Sequence, residues 1–477
     1  MPLRCDTISI TRRKRMDRII STAANMVWHT RLLFSAYILL VPVFSSTLLP
    51  PTEDGAISPI IPFMLASEVL ALIICAMASL NGLRLLNTRF IGQTTAVMLT
   101  IGTIPFTLAG FNVHVNLMFS CACAAFLGIG KAVAFLLWAH VFSCLGLQKS
   151  VLYGCATCLC AGLCAFLALG LRPEWLAIVA FASPSVCLGA WRLSLLLPEV
   201  NTTASSKLRH VATYPWRPIA IMALAGFSAG AGTATPMAHS MTQQTIPLIL
   251  IGAATLAYVL LAKSISFDYV LKGSIAGYSM GFLGQAAFPH SGIPGYLIYA
   301  SYWGLCLFAF CILCKASHDG PTPSEWLFGV GFAISEGIQL LGYLAPSLSF
   351  AKTPGDVRIA IVVAASLILA LGMVLLWLSE HSKVGQWASS GISRSALDRP
   401  ESSQKSTEAL CRNAARTFGL SHREEEICLL LLGNKTIAEV AQELFVSQNT
   451  VKTHCKHIYA KCGVHSKQEL RIKILQN

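Results

Sequence analysis

The stretch VNLMFSCACAAFLGIGKAVAFLLWAHVFS, residues 115–143, contains Lys131 as its only Asp, Glu, Lys or Arg. A run of about 20 apolar residues is long enough for a helix to cross the hydrocarbon core of a bilayer. The stretch therefore predicts a membrane-spanning helix. The whole chain of 477 residues has a similar character, with 55% hydrophobic and 12% charged residues. Soluble domains carry about 25% charged residues, so this composition excludes an ordinary soluble globule and a disordered chain.

Similar apolar runs lie on both sides of this stretch. They predict a membrane domain of about twelve helices over residues 26–379, preceded by a basic N-terminal segment, residues 1–25. The predicted spans are 26–49, 57–80, 90–110, 115–143, 150–170, 175–197, 218–236, 246–262, 269–288, 295–314, 327–346 and 358–379.

The basic residues between these spans predict an orientation. Lys and Arg accumulate in the cytoplasmic loops of membrane proteins. With the basic N-terminus in the cytoplasm, the inward loops carry most of the basic loop residues, and an even number of spans leaves the C-terminus cytoplasmic as well. The inward set is Arg84, Arg89, Lys149, Lys207, Arg209, Arg217, Lys263, Lys272 and Lys315, and the outward set is Arg172, Lys352 and Arg358.

The longest polar break in the membrane domain is residues 198–217, a basic segment that contains Ser and Thr. It divides the domain into two halves, 26–197 and 218–379. Two six-helix halves joined by a cytoplasmic loop resemble the major facilitator superfamily, in which the halves pack around a central cavity.

The 17 cysteines lie mostly in apolar runs. The segment with Cys155, Cys158, Cys160 and Cys164 contains no His, Asp or Glu, and thiolates are costly in hydrocarbon. We therefore interpret these cysteines as small packing residues. The sequence contains no HExxH pattern and no interpretable Ser/His/Asp arrangement. We expect no enzyme activity, no cofactor and no metal site.

Residues 380–419 are Ser-rich and polar, which predicts a flexible linker to a soluble domain over residues 420–477. Ser421 and Glu424 have the spacing of a capping box, which opens a helix that ends at Gly433. Thr436 and Glu439 form a second capping box. Ser447 caps a third predicted helix, and the sequence SKQE at residues 466–469 opens a fourth.

The third of these helices has two different faces. Val451, Cys455, Ile458 and Cys462 recur at the spacing of a buried stripe. The opposite stripe is polar, partly basic and free of acidic residues, and such donors match base edges in the major groove of DNA. It consists of Asn449, Lys452, Thr453 and Lys456. Phosphate contacts are expected from Ser447, Thr450, Lys435 and Lys461.

The sequence from Leu420 to Val464 is similar to the LuxR-type helix-turn-helix family. The motif includes LS-x-RE at 420–424, IA at 437–438, S-x-x-TVKTH at 447–454 and IY-x-K at 458–461. The resemblance implies a four-helix domain of a bacterial protein that binds double-stranded DNA as a homodimer. The fourth helix is then expected to form the contact between the two copies. It also implies that Lys452, Thr453 and Lys456 contact bases. The expected fold class is therefore all-α, a polytopic bundle of 6+6 spans with a C-terminal soluble four-helix helix-turn-helix domain.

A few ionisable residues lie inside predicted spans, where each costs at least about 2.5 kcal/mol unless it is paired or hydrated. We expect them to bind a polar or anionic small molecule, and the alternative is a structural ion pair or a polar group near a span end. The candidates are Glu68, Lys131, His140 and Glu336, with Gln285 and Gln339 as polar neighbours.

Three functional classes compete. The first is a one-component transcription regulator in the bacterial cell membrane, which senses a signal through the membrane domain and binds promoter DNA through the C-terminal domain. The second is a transporter of the major facilitator type with an accessory DNA-binding domain. The third is a membrane-anchored interaction protein that has lost DNA binding. The intact basic stripe on the third helix favours the regulator.

Overall fold

A computed structural model describes the protein as two compact units, Met1–Ile392 and Ser393–Asn477. The boundary between the units falls within the predicted linker. The structure describes residues 30–41, 60–81, 90–197, 200, 216–233, 241–261, 264–265, 267–288, 291–319, 322–348, 392–393, 414, 417–432, 440, 444, 448–464, 469–470 and 473–474.

The first unit is a bundle of long apolar helices. Within the described residues, eleven helices coincide with the first eleven predicted spans, and seven of these helices are long and apolar enough to cross a membrane. The predicted span 358–379 lies outside the described residues. The helices are α1 (Thr30–Val41, which begins as a 3-10 helix over Thr30–Ser35), α2 (Ile60–Leu80), α3 (Ile91–Gly110), α4 (Leu117–Cys144), α5 (Gly146–Ala168), α6 (Pro173–Ser194), α7 (Trp216–Thr233), α8 (Met241–Leu261), α9 (Phe267–Ala287), α10 (Ile293–Asp319) and α11 (Ser324–Leu348).

The helices of the two predicted halves meet in a symmetric pattern. The second helix of the first half, α2, packs against the fifth of the second half, α11. In the same way, α5 of the first half packs against α8, the second helix of the second half. This exchange of positions is what a two-fold relation between two six-helix halves produces. The prediction of an all-α polytopic bundle is confirmed.

Close contact between α5 and α8 depends on two glycines. A Cβ atom at Gly252 of α8 would lie 2.5 Å from the backbone nitrogen of Leu159 in α5. A Cβ atom at Gly162 of α5 would lie 2.7 Å from the backbone nitrogen of Ile249 in α8. In a membrane, where lipid is as apolar as a side chain, small residues let helix backbones approach and gain dispersion energy. The two halves are therefore in backbone contact along this seam.

Helix α4 lies inside the first unit, because it packs against α2, α3, α10 and α11. Its Trp138 indole nitrogen donates a hydrogen bond to Cys187 Sγ of α6, and the Trp191 indole nitrogen of α6 donates to the Leu137 carbonyl. Cysteines fill the space between these helices as free thiols. Those that are buried include Cys75, Cys121, Cys123, Cys144, Cys155, Cys158 and Cys187.

The second unit contains α12 (His422–Leu432) and α13 (Gln448–Cys462), which pack against each other. The buried side chains of Ile427 and Leu431 on α12 meet those of Val451 and Ile458 on α13. The predicted second helix, 436–444, is described only at Val440, which is buried, and at Leu444. Outside the helices, the structure describes two strands of two residues each, β1 (Ser264–Ile265) in the first unit and β2 (Ile392–Ser393) at the unit boundary.

Candidate functional site

The buried face of α13 is the one that the sequence predicts. Val451, Cys455, Ile458 and Cys462 are each at most 4% exposed. The helix ends at Cys462, and the next residue, Gly463, has a φ of +62° that favours glycine. The Val464 amide donates a hydrogen bond to the Tyr459 carbonyl, the arrangement of a Schellman cap. One face of α13 is therefore anchored in the core of its unit.

The opposite face of α13 is exposed to solvent. The Thr453 hydroxyl donates a hydrogen bond to the Asn449 carbonyl. Lys452 and Lys456, four positions apart on the same face, are exposed. The predicted phosphate contacts Ser447 and Lys435 lie outside the described residues. The exposed predicted residues are Asn449, Thr450, Lys452, Thr453 and Lys456. Their contact with DNA stays a prediction.

The predicted capping box at the start of α12 is present. The Ser421 amide donates a 2.7 Å hydrogen bond to Glu424 Oε2, and the Glu424 amide donates a 3.3 Å hydrogen bond to the Ser421 hydroxyl. The two reciprocal bonds satisfy backbone N–H groups that the first helical turn leaves without partners. They fix the point at which α12 begins.

Glu424 has a second role that the sequence analysis missed. Lys461, near the end of α13, places its ammonium nitrogen 2.6 Å from Glu424 Oε2 and 3.0 Å from the Gly419 carbonyl oxygen. Burial raises the pKa of Glu424, but the hydrogen bonds from Lys461 and Ser421 outweigh burial and lower the pKa below its ordinary value. The ion pair joins the two helices. Lys461 thus has a structural partner, and its predicted contact with phosphate stays untested.

Arg423 holds the chain segment that precedes α13. One nitrogen of its guanidinium group donates a 2.9 Å hydrogen bond to the Leu444 carbonyl, and the other donates a 2.7 Å bond to Glu426 Oε2. The Glu426 carboxylate partly neutralises the charge of the guanidinium group and helps to hold the arginine side chain in position. Arg423 thus joins α12 to the chain four residues before α13, and Lys461 joins α12 to the last turn of α13.

The histidines of α13 lie beside Glu424. His454 is half-buried, and its Nδ1 atom is buried without a hydrogen-bond partner among the described residues. His457 is exposed, with its Nδ1 atom 3.9 Å from Glu424 Oε1. Each of these three side chains offers one atom that can bind a metal ion. In the described part of the chain, these three atoms lie close enough together to hold a single ion.

In the first unit, Met1–Ile392, which we call the membrane unit, the structure brings two predicted sensing residues into direct contact. Lys131 of α4 donates a 2.8 Å hydrogen bond to Glu68 Oε2 of α2, and the two side chains are 11% and 5% exposed. The residues are 63 positions apart in sequence. A buried charge needs such a partner, because its desolvation costs several kcal/mol.

Glu336 of α11 lies within electrostatic range of this pair. No hydrogen bond or ion pair joins the Glu336 carboxylate to another residue that the structure describes. One turn further along α11, Gln339 accepts a 3.0 Å hydrogen bond from the Tyr302 hydroxyl of α10. We call Glu68, Lys131 and Glu336 the charged cluster. Three of the four predicted sensing residues therefore lie close together, on helices of both halves.

His140 lies away from the charged cluster, near the end of α4. Its Nδ1 atom is 3.0 Å from the Ser324 hydroxyl at the start of α11, and the Ser324 hydroxyl is 3.2 Å from Glu325 Oε2. Its other ring nitrogen is 3.7 Å from Cys144 Sγ. His140 therefore belongs to a polar junction between helix ends, and a sensing role for it stays a prediction. The side chain of the predicted neighbour Gln285 lies outside the described residues.

Comparison with known proteins bears on the second unit. Residues 419–473 match the family described as bacterial regulatory proteins, luxR family. The chain is 37% identical to the spore germination protein GerE of Bacillus subtilis (strain 168) over 57 residues, which are 12% of this chain and 77% of that protein.

A second relative is described as the probable HTH-type transcriptional regulator GfsR of Streptomyces halstedii. It is 27% identical over 99 residues, which are 20% of this chain and 40% of GfsR. The chain thus spans two fifths of the length of this relative.

Among solved structures, the membrane unit finds a neighbour in the major facilitator superfamily. It is the proton:xylose symporter XylE bound to 6-bromo-6-deoxy-D-glucose, with a TM-score of 0.45 and 13% sequence identity over 73% of this chain and 93% of that one.

The helix-turn-helix motif identified from sequence is confirmed by the family match. Through residues 419–473, the chain belongs to the luxR family of bacterial regulatory proteins.

Proposed function

We propose that this protein is a membrane-tethered, one-component transcription regulator. Its C-terminal unit binds promoter DNA, and its membrane unit senses a signal. The observation that carries the proposal is the two-faced helix α13, which is anchored by a buried stripe and exposes Lys452, Thr453 and Lys456 on the other side. This helix belongs to a unit of the luxR family.

The chemistry of the exposed face supports DNA as the partner. An α-helix fits the major groove, where ammonium groups can donate hydrogen bonds to guanine N7 and O6. The Asn449 amide can pair with adenine, and the Thr453 methyl group can contact thymine. No acidic side chain interrupts the exposed set formed by Asn449, Thr450, Lys452, Thr453 and Lys456. Repulsion from DNA phosphates is therefore low on this face.

The arrangement around the membrane follows from the same proposal. Residues 1–25 and the predicted DNA-binding domain, residues 420–477, lie in the cytoplasm of a bacterial cell, because DNA is there and because the basic loops favour that orientation. The sequence-predicted linker joins the two units as a tether, and its end is corrected by the structure, because Ala414 and Phe418 already pack in the core of the second unit. The C-terminal units of two chains pair on DNA as a homodimer, so that two recognition helices contact two half-sites.

The charged cluster is the proposed sensing site. Lys131 is already neutralised by Glu68 at 2.8 Å, while Glu336 adds a further carboxylate. A set of two carboxylates and one ammonium group attracts a polar or cationic ligand more than an anion. The sequence alone favours a polar or anionic ligand, but with the second carboxylate beside the ion pair we revise this to a small molecule with a hydrogen-bonding or cationic group.

The charged cluster includes residues from helices of both halves, so that a ligand bound there contacts both halves at once. Glu68 lies on α2 and Glu336 on α11, the two helices that pack against each other across the halves. A ligand that binds this pair of helices better in one packing arrangement shifts the population towards that arrangement. We propose that this shift changes how readily two tethered C-terminal units pair on DNA.

Chromatin capture of the full-length protein tests the proposal. The wild-type protein is compared with a Lys452→Ala/Lys456→Ala variant that is expressed at the same level in the membrane. We expect discrete promoter peaks that disappear in the double variant. A protein that gives no promoter peaks and moves a substrate across proteoliposome membranes would instead be a transporter with an accessory domain.

A further inference from the structure

Three side chains that can ligate a metal meet where α12 faces the middle of α13. Glu424 offers a carboxylate oxygen, and His454 and His457, one helical turn apart on α13, each offer a ring nitrogen. One ligand atom from each residue lies within 4.8 Å of the other two. Glu424 is buried and His454 is half-buried, whereas the His457 side chain is 60% exposed.

A separate observation concerns one ring nitrogen of His454. The Nδ1 atom of His454 is buried and receives no hydrogen bond from the described residues. A buried polar atom without a partner costs free energy and is uncommon in folded proteins, unless water or an ion binds to it. A metal ion bound through this Nδ1 atom would remove that cost, since an imidazole nitrogen is a common metal ligand.

Although the sequence alone predicts no metal site, we propose that Glu424, His454 and His457 form a divalent-metal site that joins α12 to α13. Two imidazoles and one carboxylate are the ligand set of borderline ions such as Zn²⁺ and Co²⁺. The fourth position faces solvent beside the exposed His457, where a water molecule completes a tetrahedral site.

Between Glu424 and His457, metal binding requires only a small movement. Ligand atoms around a tetrahedral zinc ion lie about 3.3 Å apart, given bonds of about 2.0 Å. The His457 Nδ1 atom is 3.9 Å from Glu424 Oε1. Because the His457 side chain is largely exposed, its ring can turn towards the carboxylate without disturbing the core.

The Glu424 carboxylate can serve both the metal ion and Lys461. Lys461 and the Ser421 amide bind Oε2, whereas His457 lies beside Oε1. The metal ion therefore uses a different oxygen from the one that holds the existing ion pair. The carboxylate lies between the two cations and screens their repulsion.

The site would act on the same joint as the ion pair between Glu424 and Lys461. That pair ties the last turn of α13 to α12, and the metal ion adds a second tie one to two turns earlier on α13. The exposed residues Lys452, Thr453 and Lys456 lie on the helix that is clipped. Occupancy would therefore hold α13 more rigidly on its unit.

Cobalt absorption spectroscopy on the full-length protein in detergent tests the proposal. Thiols are first alkylated, so that cysteines do not bind the probe, and Co²⁺ is then titrated in. We expect ligand-field bands from one tetrahedral Co²⁺ per chain. In the His457→Gln variant, we expect at least about tenfold weaker Co²⁺ binding at this site. His114→Gln, which removes an exposed histidine from the first unit, is the matched control and should bind Co²⁺ as the wild-type protein does.

A gain-of-signal variant guards against a loss caused by misfolding. His457→Cys keeps three ligands, and without alkylation it should bind Co²⁺ and add a thiolate-to-cobalt charge-transfer band that the unalkylated wild-type protein does not show at this stoichiometry. Wild-type protein without the ligand-field bands, or a His457→Gln variant with undiminished affinity, would overturn the proposal. Neither result would bear on DNA binding, because no DNA is present.

Discussion

The Lys461 ammonium nitrogen lies 2.6 Å from Glu424 Oε2 and thereby joins the last turn of α13 to the first turn of α12. Glu424 also closes the capping box with Ser421. One buried carboxylate therefore fixes the start of one helix and the end of the other. The orientation of the exposed face of α13 depends on this joint.

Glu424→Gln is expected to loosen the joint. Hydrogen bonds to charged groups contribute about 1.5–3 kcal/mol, and each 1.4 kcal/mol corresponds to a tenfold change in an equilibrium. Hydrogen exchange of the full-length protein at neutral pH should therefore be about tenfold or more faster in peptides from His422–Leu432. Glu425→Gln, which removes a charge from the same turn but not the bond to Lys461, should have a smaller effect.

The effect of Glu424→Gln should also depend on pH. Because the pKa of Glu424 is lower in the folded protein, the ionised carboxylate contributes stability above its ordinary pKa. That contribution is lost as the pH falls through the folded-state value. The difference in exchange between the variant and the wild-type protein should therefore shrink in acid. A difference that grew in acid would contradict the direction of the pKa shift.

Lys452→Ala and Lys456→Ala should each weaken binding to a target duplex by about 1–3 kcal/mol. The ammonium groups are exposed on the free face of α13, where they can contact bases or phosphates. Fluorescence anisotropy with labelled duplexes at several salt concentrations measures the loss. A lysine that contacts a base should also relax sequence preference, whereas one that contacts phosphate should lower the salt dependence by about one ion. Lys272→Ala in the first unit is the charge-matched control.

Lys131→Met should destabilise the membrane unit, because it leaves the Glu68 carboxylate buried without its ion-pair partner. Breaking one side of a buried pair costs about 3–5 kcal/mol, whereas replacing both partners is often close to neutral. The double variant Glu68→Gln/Lys131→Met should therefore melt at a higher temperature than Lys131→Met alone. Thermal unfolding in detergent, followed by the reaction of newly exposed cysteines with a fluorescent maleimide, gives the midpoints. Equal midpoints for all three proteins would show that the pair has no structural role.

Glu336→Gln should leave the ion pair between Glu68 and Lys131 in place and remove the additional carboxylate. If the charged cluster binds a polar or cationic ligand, the variant should respond to its inducer only at higher concentrations. A reporter gene placed behind a promoter identified by chromatin capture measures this response. Glu174→Gln at the start of α6 is the control. An unchanged dose response in Glu336→Gln would reject the cluster as the sensing site.

Gly252→Leu should force α8 away from α5, since a Cβ atom at this position would lie 2.5 Å from the Leu159 backbone nitrogen. Overpacking of a close contact typically costs about 1–3 kcal/mol. We expect a lower thermal midpoint and less folded protein in the membrane. Gly189→Leu in α6 is the control, because no heavy atom lies within 4 Å of a Cβ atom built there. Similar losses in both variants would point to helix propensity, not to contact between the halves.

The amino-acid sequence by itself determined the features that depend on neighbouring residues. Runs of apolar residues of span length predicted eleven helices that the structure describes, because hydrophobic length is counted along the chain. The spacing of Val451, Cys455, Ile458 and Cys462 predicted the buried face of α13, because a helix repeats every 3.6 residues. The capping box of Ser421 and Glu424 is equally local, because its partners are three positions apart.

Only the tertiary structure decided which distant groups meet. The pair of Lys131 and Glu68 spans 63 positions, that of Lys461 and Glu424 spans 37, and His140 and Ser324 are 184 positions apart. Helical periodicity assigns a residue to a face of its own helix, but it does not state which helix packs against that face. That choice depends on the packing of whole helix surfaces, in which small residues such as Gly252 set how closely two backbones approach.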